Sequence, residues 1–269
     1  MKQNNKTRKK NLNTGTKPTW CPGCFNFQIL AGVKNLIEDK LYKNPKEKFA
    51  IVSGIGCHAK VFDYLNLPGI NSIHGRVPPT CLGMKIANPK LNVIGFSGDG
   101  DAYSEGLSHL ISAARYNSNY KLIIHNNQIF ALTVGQPTPV TEQGFKDKTT
   151  PRGVKLESLN PIKLMLSSGA SFVARVFADS KQVKEILNKA LKHKGFAFIE
   201  VLQPCLVFHS DKEYKKHLYN LQDTKHDTRN WNKAMKKACE FDYSNINNKT
   251  KIPTGIFYQE NRDIFEDNL

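Results

Sequence analysis

Residues 92–106, NVIGFSGDGDAYSEG, read as an apolar strand that ends in a Gly-Asp-Gly turn and opens a helix. Outward from it, short apolar runs recur at 49–53, 121–125, 171–176 and 197–202, and helical spacing recurs at 24–42, 105–116 and 181–194. In the first helix Phe27, Ile29, Leu30, Val33, Leu36, Ile37 and Leu41 supply the period, and Pro45 closes the segment. Strands alternating with helices imply an α/β fold with a doubly wound, mostly parallel sheet covered on both faces. Residues 135–159 are rich in Gly, Pro, Thr and Lys without sustained period, so a long functional loop that covers a site is expected there. Beyond His209 the chain turns polar, with a helical stretch at 231–241 and a short packed strand at 252–258, IPTGIFY.

The chain has 269 residues, 39% hydrophobic and 23% charged, enough for one large core. The expected organisation is a disordered basic leader at 1–18, a main domain at 19–210 and a C-terminal extension at 211–269 packed on it. No run of about 18 apolar residues exists to span a bilayer. The first residues carry no apolar signal core, so a cytoplasmic protein without membrane contact is expected. The net charge of +16 fits either an acidic partner or a lysine-rich bias spread over the surface. Nucleic acid is not an expected partner: Arg8, Lys9 and Lys10 sit in the leader, and no arginine-rich stripe with interleaved aromatics follows.

Twenty-eight residues after Asp99 comes Asn127, in IIHNNQIF at 123–130. Both motifs lie at carboxyl ends of expected strands, the edge of an open α/β sheet where ligands bind and where glycines let the backbone approach a pyrophosphate. A carboxylate, a side-chain amide and a carbonyl are hard oxygen ligands suited to Mg²⁺, so Asp99, Asn127 and the carbonyl of Ile129 are candidate magnesium ligands. Gly-Asp turns alone are common loop chemistry, whereas the paired asparagines at this distance resemble the thiamine diphosphate signature. The six cysteines include Cys21 and Cys24 in WCPGC, Cys57 in GIGC and Cys205 in QPC. Four thiolates from three loops suit a 4Fe-4S cluster, with a four-cysteine zinc site, a redox pair or simple packing as alternatives. Cys81 and Cys239 have no partner pattern and are expected to pack.

Taken together, TWCPGC, IVSGIGC, HGR, KIANP, GDGD, NNQIFALTVGQPTP, NPIKL, HKGFAFIEVLQPC and IPTGIFY make the chain resemble a 2-oxoacid:ferredoxin oxidoreductase beta subunit from about residue 20 to residue 258. The resemblance implies the thiamine diphosphate-binding fold, with loops holding an iron-sulfur cluster. It puts the cluster ligands at Cys21, Cys24, Cys57 and Cys205, and the magnesium ligands at Asp99, Asn127 and Ile129. Ile55, Gly56, Cys57, His58, Gly98, Asp99, Gly100, Asp101, Asn127, Ile129, Ala131, Leu132 and Thr133 would then hold the cofactor, with His74 a neighbour and Lys60 a cation for a substrate carboxylate. The implied reaction is coenzyme A-dependent oxidative decarboxylation of a 2-oxoacid, with 2-oxoglutarate favoured and pyruvate next, the electrons passing to ferredoxin. An alpha subunit would supply the glutamate that activates thiamine, so the chain alone should be inactive. Departures from the family pattern fall at Phe25 and Asn26 after CPGC, at Glu105, at Val134 and at His209; none removes a ligand. The alternative is a non-enzymatic four-cysteine zinc protein on the same fold.

Overall fold

The structure, a computed structural model, describes residues 12–39, 45–210, 214–243 and 249–269. In chain order the elements are α1 (Asn26–Glu38), α2 (Pro45–Lys48), β1 (Phe49–Ser53), α3 (Val61–Tyr64), β2 (Gly69–Asn71), α4 (Val77–Ala87), β3 (Asn92–Gly98), α5 (Leu107–Tyr116) and β4 (Tyr120–Asn126). They continue with β5 (Ile129–Phe130), β6 (Gln136–Pro137), α6 (Pro161–Ser167), β7 (Phe172–Phe177), α7 (Ser180–Lys192), β8 (Ala197–Leu202), β9 (Leu218–Asn220), α8 (Trp231–Ala238) and β10 (Ile252–Gln259).

Eight strands form one sheet in the order β2-β1-β3-β4-β8-β7-β10-β9. Every neighbouring pair is parallel except β10 on β7, which is antiparallel. The strand residues alternate between two cores because successive side chains leave opposite faces. Ile123, Ile199 and Val201 join α1 and α7 on one face, while Leu122, Ile124 and Phe198 join α4, α5, α6 and α8 on the other. Strands buried on both faces are continuous apolar runs, which is why their positions are readable in sequence.

Four differences from expectation have local causes. The first helix begins at Asn26 and not at residue 24, since Cys21 and Cys24 form the turn ahead of it; residues 40–42 of the expected helix lie outside the described residues. Helix α4 was not expected; its Pro78 and Pro79 occupy the first turn, where the missing N–H is unneeded. The chain is packed before the expected leader boundary: Leu12 is buried, and its carbonyl accepts from Asn66 N, while residues 1–11 lie outside the described residues. Cys239 is exposed after α8, whereas Cys81 is buried as expected. The segment at 252–258 is indeed a packed strand, β10, and it extends the main sheet. Among the described residues no helix is long and apolar enough to cross a membrane.

Helix α1 is seated closely on α7. A Cβ on Gly32 would lie 2.8 Å from Ser180 O and 2.8 Å from Val183 Cβ. Gly32→Val is therefore expected to destabilise the fold by about 1–3 kcal/mol through overpacking, read as a lowered urea midpoint with unchanged slope.

Candidate functional site

After β1 the chain visits β2 on one side and returns to β3 on the other, so the sheet order reverses between β1 and β3. Ligand crevices open beyond the carboxyl ends of strands at such a point. The loops following β1, β3, β4 and β8, four adjacent strands, meet there. They form a crevice lined by Ile55, Gly56, Cys57, His58, His74, Gly98, Asp99, Gly100, Asp101, Asn127, Ile129, Ala131, Leu132 and Thr133. Every expected cofactor residue is in that lining, and His74 with them.

Asp99 is buried; it accepts from Thr138 Oγ1 at 2.6 Å and from Asn127 N at 3.3 Å. Burial outweighs these bonds and pushes its carboxyl up to about 7. A buried carboxylate with so few donors fits a bound cation. Thr138 belongs to the loop at 135–159, which thus reaches the site as expected. The turn at 126–129 is held by Asn126 Oδ1 accepting from Gln128 N and Asn127 Oδ1 accepting from Ile129 N, with Gln128 at φ 63°. Gln128 Nε2 donates to Val140 O at 2.7 Å, which ties the turn to the same loop.

Gly100 starts the helical segment after the turn, and a Cβ there would lie 2.2 Å from the Phe130 ring. The segment 101–105 is a π-turn closed by Gly106 N donating to Asp101 O, a wide geometry common at functional sites. Asp101 collects Gly75 N at 2.7 Å, Ser97 Oγ at 2.5 Å, His74 Nδ1 at 2.8 Å and His58 Nε2 at 3.5 Å. Burial raises its pKa, but His58, Ser97 and Gly75 prevail and hold it below the usual carboxylate range. Glu105 approaches the same His74 nitrogen at 3.4 Å, so this departure from the family pattern has a partner.

Cys21, Cys24, Cys57 and Cys205 line a second cavity, which shares Cys57 with the crevice. The Cys21–Cys24 turn uses Gly23 at φ 76°, a left-handed conformation that favours glycine. Trp20 Nε1 donates to Cys57 O at 2.7 Å and so fastens this turn to the loop after β1. Burial pushes the Cys57 thiol up to about 11; Cys24, Cys205 and Cys21 add to the rise and Lys60 opposes it. Among the described residues, no three His, Cys, Asp or Glu side chains form a group able to hold one metal ion. Four thiols around one cavity supply the donor set of a four-cysteine cluster.

Lys60 is not in the crevice lining. It stands on the cysteine side, where its Nζ donates to Thr19 Oγ1 at 2.9 Å. Phe25 packs edge-on against Phe177 and anchors the cysteine turn to the end of β7. His209 Nε2 lies 3.0 Å from Glu142 Oε2, joining the segment after Cys205 to the covering loop. Val134 is exposed beside the cysteines.

Sequence reasoning missed His125 and Gln203 and read Asn26 only as a loop departure. All three are buried crevice residues. The signal was a polar side chain inside the apolar run LIIH, and another directly before Pro204-Cys205. His125 Nδ1 is 2.8 Å from Asn26 Oδ1, and its ring lies 5.8 Å from that of His58. Burial, with a smaller effect from His58 and against a hydrogen bond with Gln203, drives its pKa well below the ordinary value.

The family model for the C-terminal TPP-binding domain of thiamine pyrophosphate enzymes matches residues 54–201, and that for the C-terminal part of the pyruvate ferredoxin oxidoreductase beta chain matches 209–269. The chain is 41% identical over 253 residues to the 2-oxoacid:ferredoxin oxidoreductase subunit beta of Saccharolobus solfataricus, covering 89% of this chain and 81% of that one. Against a 2-oxoglutarate synthase subunit of Archaeoglobus fulgidus it is 36% identical over 196 residues, covering 72% of each. A solved 2-oxoglutarate:ferredoxin oxidoreductase from Magnetococcus marinus, with 2-oxoglutarate, coenzyme A and succinyl-CoA bound, matches with a TM-score of 0.88 at 31% identity over 98% of this chain and 89% of that one.

Proposed function

The chain belongs to the family of 2-oxoacid:ferredoxin oxidoreductase beta subunits, and from that premise we propose that it carries thiamine diphosphate, Mg²⁺ and one 4Fe-4S cluster and acts on 2-oxoglutarate. The observation that carries this reading is the junction of the two cavities: the crevice with Asp99 and Asn127 shares Cys57 with the cavity of the four thiols. Asp99, Asn127 and the carbonyl of Ile129 would hold the magnesium, with Gly98 and Gly100 giving the diphosphate room to approach the backbone. Cys21, Cys24, Cys57 and Cys205 would hold the cluster. When bound, thiamine diphosphate supplies the electron sink for decarboxylation, and the cluster takes electrons singly toward ferredoxin.

The chain's own residues position and enclose. Asp101 fixes His74 and His58 over the crevice, and the loop bearing Thr138 covers the magnesium side. The preference for 2-oxoglutarate over pyruvate is supported by relatives whose names carry that acid; Lys60, on the cysteine side, would meet a substrate carboxylate only at the mouth between the two spaces. Coenzyme A would take the acyl group. The apolar side chains Ile55, Ile73, Leu132, Val134, Leu206 and Val207 are exposed in the described structure. Four of them, Leu132, Val134, Leu206 and Val207, line the cysteine cavity, and this supports an alpha subunit seated over the site. The basic balance of the chain favours an acidic electron acceptor.

Co-expression with the alpha subunit under anaerobic conditions tests the proposal. A brown complex containing iron, sulfide and thiamine, which reduces viologen dye only with coenzyme A and faster with 2-oxoglutarate than with pyruvate, is the expected result. A colourless, zinc-loaded complex without dye reduction would sink the cluster assignment. Faster reduction with pyruvate would overturn the substrate assignment alone.

A further inference from the structure

Two buried carboxamides stand between the crevice and the cysteine cavity. Asn26, the first residue of α1, and Gln203, directly after β8, line both spaces and are 1% and 3% exposed. Gln203 Nε2 donates to Cys24 Sγ at 3.9 Å. Asn26 follows Cys24 by two residues, and its Oδ1 is 2.8 Å from His125 Nδ1. Asn26 also comes within reach of Cys24, and Gln203 within reach of His125, although among the described residues Asn26 Nδ2, Gln203 Oε1 and His125 Nε2 complete no hydrogen bond of good geometry.

Apolar side chains of similar size would close such a wall without leaving polar atoms buried and unpaired, which folding disfavours. The wall thus holds incompletely bonded polar groups, and its amides meet the cysteine side at Cys24. Toward the cysteines it offers N–H dipoles and no formal charge. An electron added to a thiolate-held cluster makes an already anionic centre more negative, and N–H donors to its sulfurs favour that reduced state. Donors held in a buried wall do so more strongly than donors in water.

We propose that Gln203 and Asn26 tune the reduction potential of the cluster by directing amide N–H groups at Cys24 and the sulfur next to it, holding the potential higher than the four thiolates alone would. Both act through Cys24 and are positioning residues. The proposal rests on the four-thiolate cluster reading above. Neither residue is needed as a ligand, so its loss leaves the cluster bound and moves its potential.

The test is an anaerobic redox titration of the complete alpha–beta complex, followed by the electron paramagnetic resonance of the reduced cluster. Wild type is compared with Gln203→Leu and with Asn26→Leu, and iron and sulfide are measured in each. Leucine is close in size to either amide, so the change is mainly the lost donor. The expected result is wild-type iron content in both variants, a midpoint shifted to more negative potential in each, and a larger shift in the double variant. If Gln203→Leu loses iron, the Asn26→Leu midpoint decides. Unmoved midpoints in iron-loaded variants overturn the proposal and leave the cluster reading standing. A wild-type complex without iron overturns both.

Discussion

Replacing Glu200 by Gln is expected to lower folding stability by about 3–5 kcal/mol, a large part of the roughly 5–15 kcal/mol that holds a domain together. Glu200 and Arg175 lie side by side on β8 and β7, both with fully buried side chains, and Arg175 Nε donates to Glu200 Oε2 at 2.7 Å. The guanidinium also lies over the rings of Phe241, Tyr243 and Phe257 at 5.2, 5.5 and 5.6 Å. Removing the carboxylate leaves that cation with aromatic faces and the Tyr243 hydroxyl, and no counter-charge. Chemical denaturation should show the loss directly.

The double variant Arg175→Met, Glu200→Leu separates two roles of this pair. Replacing a buried ion pair by apolar side chains of similar volume is often neutral or stabilising, so much of the stability should return. Cofactor binding should not return with it. Glu200 Oε1 also accepts from Asn126 Nδ2 at 2.8 Å, and Asn126 Oδ1 in turn holds Gln128 N in the turn that presents Asn127. A double variant that regains wild-type stability and also binds thiamine diphosphate at wild-type affinity would show that Glu200 has no part in shaping the turn.

Gly54→Ala is expected to weaken thiamine diphosphate binding by about tenfold or more, equivalent to ~1.4 kcal/mol. The added Cβ would fall 1.9 Å from Asp101 Oδ2, inside the carboxylate that gathers Ser97, Gly75, His74 and His58. Neither side can yield cheaply: Gly54 N is bonded to Phe96 O, and Asp101 sits in the π-turn. About 1–3 kcal/mol of stability should be lost as well. Calorimetric titration of the complex with cofactor and Mg²⁺ measures the first effect. Gly83→Ala is the control, because a Cβ at this α4 position meets nothing within 4 Å and should stabilise the helix by about 0.5–1 kcal/mol.

The strands and the motif residues were legible because their signals are local. Parallel strands buried on both faces must be apolar throughout, so β1 and β8 could be bounded from sequence to the residue. The turn at 98–100, the paired asparagines and the cysteines were legible as candidate ligands, because few other residue types at that spacing could meet an ion or a cluster. Helix α4 was hidden by its prolines, and the short strands β2 and β9 by their length of three residues.

Sequence by itself determined the family and the α/β class and nominated thirteen positions for a cofactor, all of which line one crevice. Tertiary structure alone decided what lies between that crevice and the cysteines. Asn26 meets His125 across 99 residues of chain, and Gln203 meets Cys24 across 179. Those contacts depend on β4 and β8 lying side by side in register and on α1 being seated on α7. Periodicity reports which face of an element is apolar, and it carries no information about which distant polar side chain will stand opposite once the sheet has ordered its strands.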